Sequence, residues 1–291
     1  MAKNSPPFPD AGQWVRFLSE AKLPILRYTA RQLEEAREKQ DRINARDITA
    51  IVLQDPLLMV RVLAYIQPYI SKTLRSEITT VGGAVMMLGV EPFFQRFSDL
   101  PTLENTLSEE PQALLGALQV TFRVQRAASY AQSWALWRHD LNIEEVTIAA
   151  LLHDLAEILC WTFAPRLAIE IRNRLRRDKT LRSARVQQEI LGVSCSELQR
   201  VLCRAWALPK LLQTLIDDTH ADHPRVRNVI LAVDLARHSA DGWNNAALPD
   251  DFTAIERLLK VNRDGLIRLL GLTDDQVAML PAMSATPPPG D

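Results

Sequence analysis

Glycine is scarce in this chain, only 10 of 291 residues, and no hairpin dipeptide or alternating apolar/polar run appears at strand spacing. A sheet needs both, since tight turns call for residues that tolerate positive φ and a half-buried strand needs a period of two. The chain is rich instead in Leu, Ala, Arg, Glu and Gln, which lose little conformational freedom on entering a helix. There is no internal repeat and no glycine-rich nucleotide loop. These features predict an all-α fold of many helices.

The charge balance narrows the function. Lys plus Arg number 34 against 35 Asp plus Glu, a formal net charge of -1, which argues against a globally basic nucleic-acid binder. No module for sequence-specific DNA readout is present. Three cysteines, Cys160, Cys195 and Cys203, form no CxxC pair and no disulfide framework. Cys195 and Cys203 lack zinc spacing and are expected as buried or half-buried thiols, so a reducing cytoplasm is the expected location. The N-terminus shows no apolar signal region, and the longest apolar stretch, about Ile148 to Trp161, is interrupted by His153, Asp154 and Glu157. It reads as a buried helix rather than a membrane span.

Boundaries can be placed along the chain. Residues 1–22 form an N-terminal extension, Pro-rich and then briefly amphipathic through Trp14, Phe17 and Leu18. Residues 23–100 hold an N-terminal helical subdomain, in which Leu23-Pro24 opens a helix to about Arg42. Asn44 with Asp47 has the spacing of a capping box, and Asp55-Pro56 places an N-cap before a proline at the first helical position. Leu58, Val62, Tyr65 and Tyr69 would line the buried face of the helix that follows, and a short helix from Thr80 ends at Gly89. The polar stretch 101–111 reads as a linker or exposed loop. A second helical subdomain spans 112–243, opening with a long helix to about Trp137 and then an apolar helix begun at Asn142. Residues 244–280 hold C-terminal helices, with a capping box at Thr273 and Gln276, and the Pro-rich stretch 281–291 reads as a disordered tail.

The sharpest chemical signal is His153-Asp154 within LLHDLAE. Adjacent residues on a helix point about 100° apart, so a divalent cation such as Mn, Fe or Zn lying between them would be within reach of an imidazole nitrogen and a carboxylate oxygen. The competing reading is a half-buried histidine satisfied by its neighbouring carboxylate. No serine or cysteine sits in a nucleophile elbow or triad context.

The surroundings of that pair carry a resemblance. RDITAIVLQDPLLMVRVLAYI around Asp55-Pro56, VGGAVMMLGVEPF from Val81 to Phe93, ALLHDLAEIL, and THADHPRVRNVILAVDLARHSADGW follow Leu23-Pro24 in order. Together they resemble the HDOD family, bacterial signalling domains related to the HD metal-dependent phosphohydrolases. The resemblance covers about Lys22 to Trp243 and implies an HD-like fold for the second subdomain. It also maps possible or vestigial metal positions onto His153, Asp154, His220, His223 and Asp234, with His220 and His223 as neighbours if they lie on a helix.

The chain departs from the catalytic relatives in one respect that matters. They require a ligand histidine on the preceding long helix, and here no histidine precedes His139. Arg123 stands near the missing ligand, and a guanidinium has no lone pair to give a metal. His139 lies past that helix, and the family's glycine after the pair is Ala156. The resemblance therefore implies a non-enzymatic regulatory protein, without cofactor, that binds protein partners of a signalling pathway. The alternative is a reduced phosphohydrolase acting on a nucleotide or cyclic dinucleotide, with a metal held by His153, Asp154 and Asp234.

One further stretch is unusual. Between Arg166 and Arg185 eight cations face only Glu170 and Asp178. Arg172, Arg174, Arg176, Arg177 and Lys179 are candidate ligands for phosphate, a nucleotide second messenger or an acidic partner. The alternative is a solvated face compensated by acids such as Glu104, Glu109 and Glu110. Trp134, Trp137, Trp161, Met86 and Met87 are expected in the core.

Overall fold

The computed structural model describes residues 8, 10–39, 42–73, 77–178 and 180–281, the side chains of 70–73 excepted. Lys179 and residues 282–291, with the tail predicted there, lie outside the described residues. Among those described, every regular element is helical, and the one β-type pairing is an isolated parallel bridge between Ile25 and Thr102. The chain is all-α. It divides into two compact units, each discontinuous in sequence: residues 1–122 with 151–214, and residues 123–150 with 215–291.

The first unit opens with α1 (Ala11–Glu20), capped by Asp10 and buried through Trp14 and Leu18. This part of the N-terminal extension packs on α13 (Cys195–Ala205), and the Trp14 indole donates to the Leu191 carbonyl at 2.8 Å. Next come α2 (Arg27–Glu38) and α3 (Ala45–Val52), the latter closed by the capping box of Asn44 and Asp47. The helix expected from Leu23 begins only at Arg27, because Ile25 is held extended: its N–H donates to Pro101 and its carbonyl accepts from Leu103. Then follow α4 (Pro56–Thr73), α5 (Val81–Leu88) and α6 (Val90–Phe97). Gly89 joins the last two at φ 84°, a value that favours glycine.

The stretch expected as a linker, 101–111, carries α7 (Leu103–Thr106), capped by Thr102, and buries Leu103 and Leu107. Residues spaced four apart there turn two leucines inward, so a polar composition hides an anchored turn. On α4, Leu58, Val62 and Ile66 are buried, whereas Tyr69 is exposed in the last turn after Pro68. The long helix α8 (Pro111–Trp137) runs from the first unit into the second, and α9 (Ile143–Leu152) returns from the second to the first. The first unit is completed by α10 (Leu155–Phe163), α11 (Pro165–Arg177), α12 (Ser183–Leu191), α13 and α14 (Lys210–Leu215).

The stretch Ile143–Phe163 has the length and apolarity of a membrane span, yet 83% of its apolar window is buried within the protein. Its hydrophobicity serves packing.

The second unit pairs the C-terminal part of α8 with α15 (Pro224–His238), where the buried Asn228 amide donates to the Ala131 carbonyl. Against α15 packs α16 (Leu248–Leu259), followed by α17 (Arg263–Leu270) and α18 (Asp274–Ala278), the last closed by the Thr273/Gln276 capping box.

Candidate functional site

His153 and Asp154 do not lie on one continuous helix. The apolar run breaks there into α9 and α10, and Asp154 adopts φ -106°, ψ 23°, outside the helical region. The expected 100° fan of two helical side chains is therefore replaced by a turn in which they face each other. The imidazole Nδ1 and the Asp154 Oδ1 are 3.0 Å apart, with the side chains only 12% and 9% exposed. The Asp154 carboxylate makes no cap bond to α10.

A residue that sequence reasoning missed holds this break together. Gln199 of α13 is buried; its amide nitrogen donates to the Leu152 carbonyl at 2.7 Å, and its amide oxygen accepts from the Ala156 N–H at 2.8 Å. A broken helix leaves carbonyls at one end and N–H groups at the other without partners. Gln199 satisfies one of each with a single side chain. Its only sequence signal was a polar residue on an apolar face, which does not say what it touches.

Asp55 plays a similar part at the start of α4. Fully buried, its carboxylate accepts from Leu57 and Leu58 at 2.9 and 3.1 Å, capping α4, and from Leu26 at 2.7 Å. Burial pushes its pKa up from the usual carboxylate value, opposed by those backbone donors. The Asp-Pro pair is thus both a cap and a tie to the segment before α2.

The remaining candidate metal positions are dispersed. His220 and His223 do not share a helix: His220 ends a short 3-10 turn, Asp218–His220, and His223 is the N-cap of α15. Both are exposed; His220 lies 3.7 Å from Asp217, and the His223 ring accepts from the Arg225 N–H. Asp234 sits mid-way along α15 and pairs with Arg237 at 3.3 Å. Arg123 is on α8. Among the described residues no group of three or more His, Cys, Asp or Glu is placed to hold a metal ion.

Part of the basic stretch is engaged by its own surroundings. Arg172 lies over the Trp161 ring at 4.7 Å, and burial lowers its pKa. Arg174 and Arg185 both pair with Glu189 of α12, an acid different from those expected to compensate them. Arg176 and Arg177 are exposed in the last turn of α11, where cations suit the helix dipole.

The HDOD domain model matches residues 23–222 of the chain. The chain belongs to the HDOD family. Two solved structures share the HDOD fold seen here. The MmoQ response regulator of Methylococcus capsulatus is 20% identical, with 86% of this chain and 98% of that one covered and a TM-score of 0.65. A virulence factor from Campylobacter jejuni is also 20% identical, with 94% and 96% covered and a TM-score of 0.60. No curated protein matches the chain significantly. The HDOD region takes in the Asp55 cap and the His153-Asp154 turn but stops before α15.

Proposed function

We propose that this HDOD protein is a non-enzymatic regulatory module that acts in the cytoplasm by binding protein partners of a signalling pathway. The observation that carries this reading is the 3.0 Å contact between His153 and Asp154 in a turn bracketed by Gln199. A hydrolytic centre needs its ligands directed at a common point, with an open position for water. Here the same residues serve a helix break, and the long helix α8, where the catalytic relatives place a ligand histidine, carries Arg123.

The surface of the first unit supports a binding role. Met86 and Met87, expected in the core, are 75% and 38% exposed. The buried face of α5 is formed by Val81, Ala84 and Val85, which leaves the next two positions turned outward. Exposed methionines suit a contact surface because their unbranched side chains adapt to a partner. The response-regulator name of one structural relative fits such a role.

Elemental mass spectrometry on untagged protein, before and after incubation with Mn, Fe and Zn, tests the reading. The expected result is no stoichiometric metal and no metal-dependent phosphoester turnover. One metal per chain, lost in Asp154→Ala and accompanied by turnover, would overturn it.

A further inference from the structure

The second unit contains a pocket of about 550 Å³ at the meeting of three helix ends: the C-terminus of α8, the N-terminus of α15 and the C-terminus of α16. Its charge is one-sided. Arg138, Arg227, Arg257 and Lys260 line it, opposed by the carboxylate of Asp222 on the lining and by Asp140, 3.8 Å from Arg138, which leaves a net charge of +2. Like charges gathered around one cavity raise its potential and draw counter-ions into it.

Three other arginines of this unit are paired. Arg225 bonds Glu145 at 2.6 Å, Arg237 bonds Asp234, and Arg263 bonds Glu256. Among the described residues, the side chains of Arg227, Arg257 and Lys260 have no such partner. Arg138 is fastened to the wall, donating to the Pro224 carbonyl at 3.0 Å and lying 3.8 Å from the Asp140 carboxylate. The pocket thus combines one anchored guanidinium with three unpaired cations.

An aromatic face completes it. Trp137, expected in the core, is 53% exposed and lines the same pocket. Its indole N–H donates to the Leu259 carbonyl at 3.2 Å, which fixes the ring in place. A held, half-exposed indole beside a cluster of cations offers a stacking surface for a planar base next to a seat for phosphates. The volume lies within the range of small-ligand pockets.

We infer that this pocket binds a nucleoside diphosphate, its phosphates on Arg138, Arg227, Arg257 and Lys260 and its base on Trp137. A diphosphate, with about three negative charges near neutral pH, is opposite in sign to the net positive charge of the pocket. The inference does not depend on the regulatory reading above, because the pocket uses none of the His153-Asp154 residues. It also names a different anion site from the arginine-rich stretch of α11.

Calorimetric titration of the full chain with GDP, inorganic pyrophosphate and guanosine tests it. GDP is expected to bind at one per chain, more weakly as salt rises. The exposed double variant Arg257→Gln/Lys260→Gln should weaken GDP at least about tenfold, a loss of about 1.4 kcal/mol. Trp137→Leu should weaken GDP while leaving pyrophosphate binding unchanged, and Trp137→Phe should restore part of the loss. Arg176→Gln/Arg177→Gln should change neither. The inference is overturned if GDP shows no saturable binding up to about 1 mM. It is equally overturned if the Arg257/Lys260 variant binds like the parent protein, or if the Arg176/Arg177 variant is the one that loses binding.

Discussion

Single side chains with two or three buried partners set the chemistry of this protein more than its histidines do. Gln199 is the sharpest case, since its amide closes both sides of the α9–α10 break. Gln199→Leu keeps the volume but leaves a buried carbonyl and a buried N–H unpaired, and is expected to cost about 2–4 kcal/mol in urea unfolding. A loss under about 0.5 kcal/mol would show that water replaces the amide at no cost. Cys203 makes a second case. Burial pushes its thiol up to about 11 from an ordinary 9.0. Native protein therefore holds this proton where the unfolded chain releases it, so its stabilising contribution is complete below pH 9 and is lost as pH rises towards 11. Cys203→Ala should flatten the fall in stability over that window, and in the native parent protein Cys203 should resist alkylation at pH 8.

Among the helices, close approach decides which residue a position accepts. Gly116 sits within α8, where alanine would ordinarily be the better helix former by about 1 kcal/mol. A Cβ at that position would lie 2.6 Å from the Trp161 ring, whose face also carries Arg172. A rigid indole in a packed core cannot yield as a flexible chain end would. Gly116→Ala is thus expected to lower stability, by about 1–3 kcal/mol, against the direction of its helix propensity. Thermal unfolding gives the sign directly, and a rise in Tm would mean that Trp161 has room to move. The helix ends behave more simply: Asn44, Asp55 and Thr273 cap the helices their spacing marked, because a cap depends on residues within one turn.

Taken as one molecule, the protein is larger than its HDOD match. Residues 23–222 omit α1, which packs on α13 through Trp14, and α15 to α18, which supply most of the second unit. A chain cut to 23–222 is expected to lack cooperative unfolding and to expose apolar surface to a dye such as ANS. A sharp, parent-like transition in that shortened chain would show that the outer segments are dispensable. Trp14→Ala alone should cost about 3–5 kcal/mol, from an emptied core position and an unpaired Leu191 carbonyl.

The helical class, the caps at Asn44, Asp55 and Thr273, the Gly89 turn and the HDOD motifs could all be read directly from the residues. Each rests on preferences acting among neighbours a few positions apart, and such preferences are written in local order. The break at His153-Asp154 could not, because a helical apolar period continues across it and the group that stabilises the break arrives from α13. Nor did the spacing of Met86 and Trp137 reveal that they face outward, since a helix can be apolar on more sides than its neighbours cover. In the run of arginines near α11, Arg174 and Arg185 pair with Glu189 and Arg172 lies on the Trp161 ring, contacts that the order of the run does not show. The cations of the second-unit pocket, from three separate helix ends, left no pattern along the chain. Only folding brings such distant positions to one place, and charge that converges through space has no signature in sequence order.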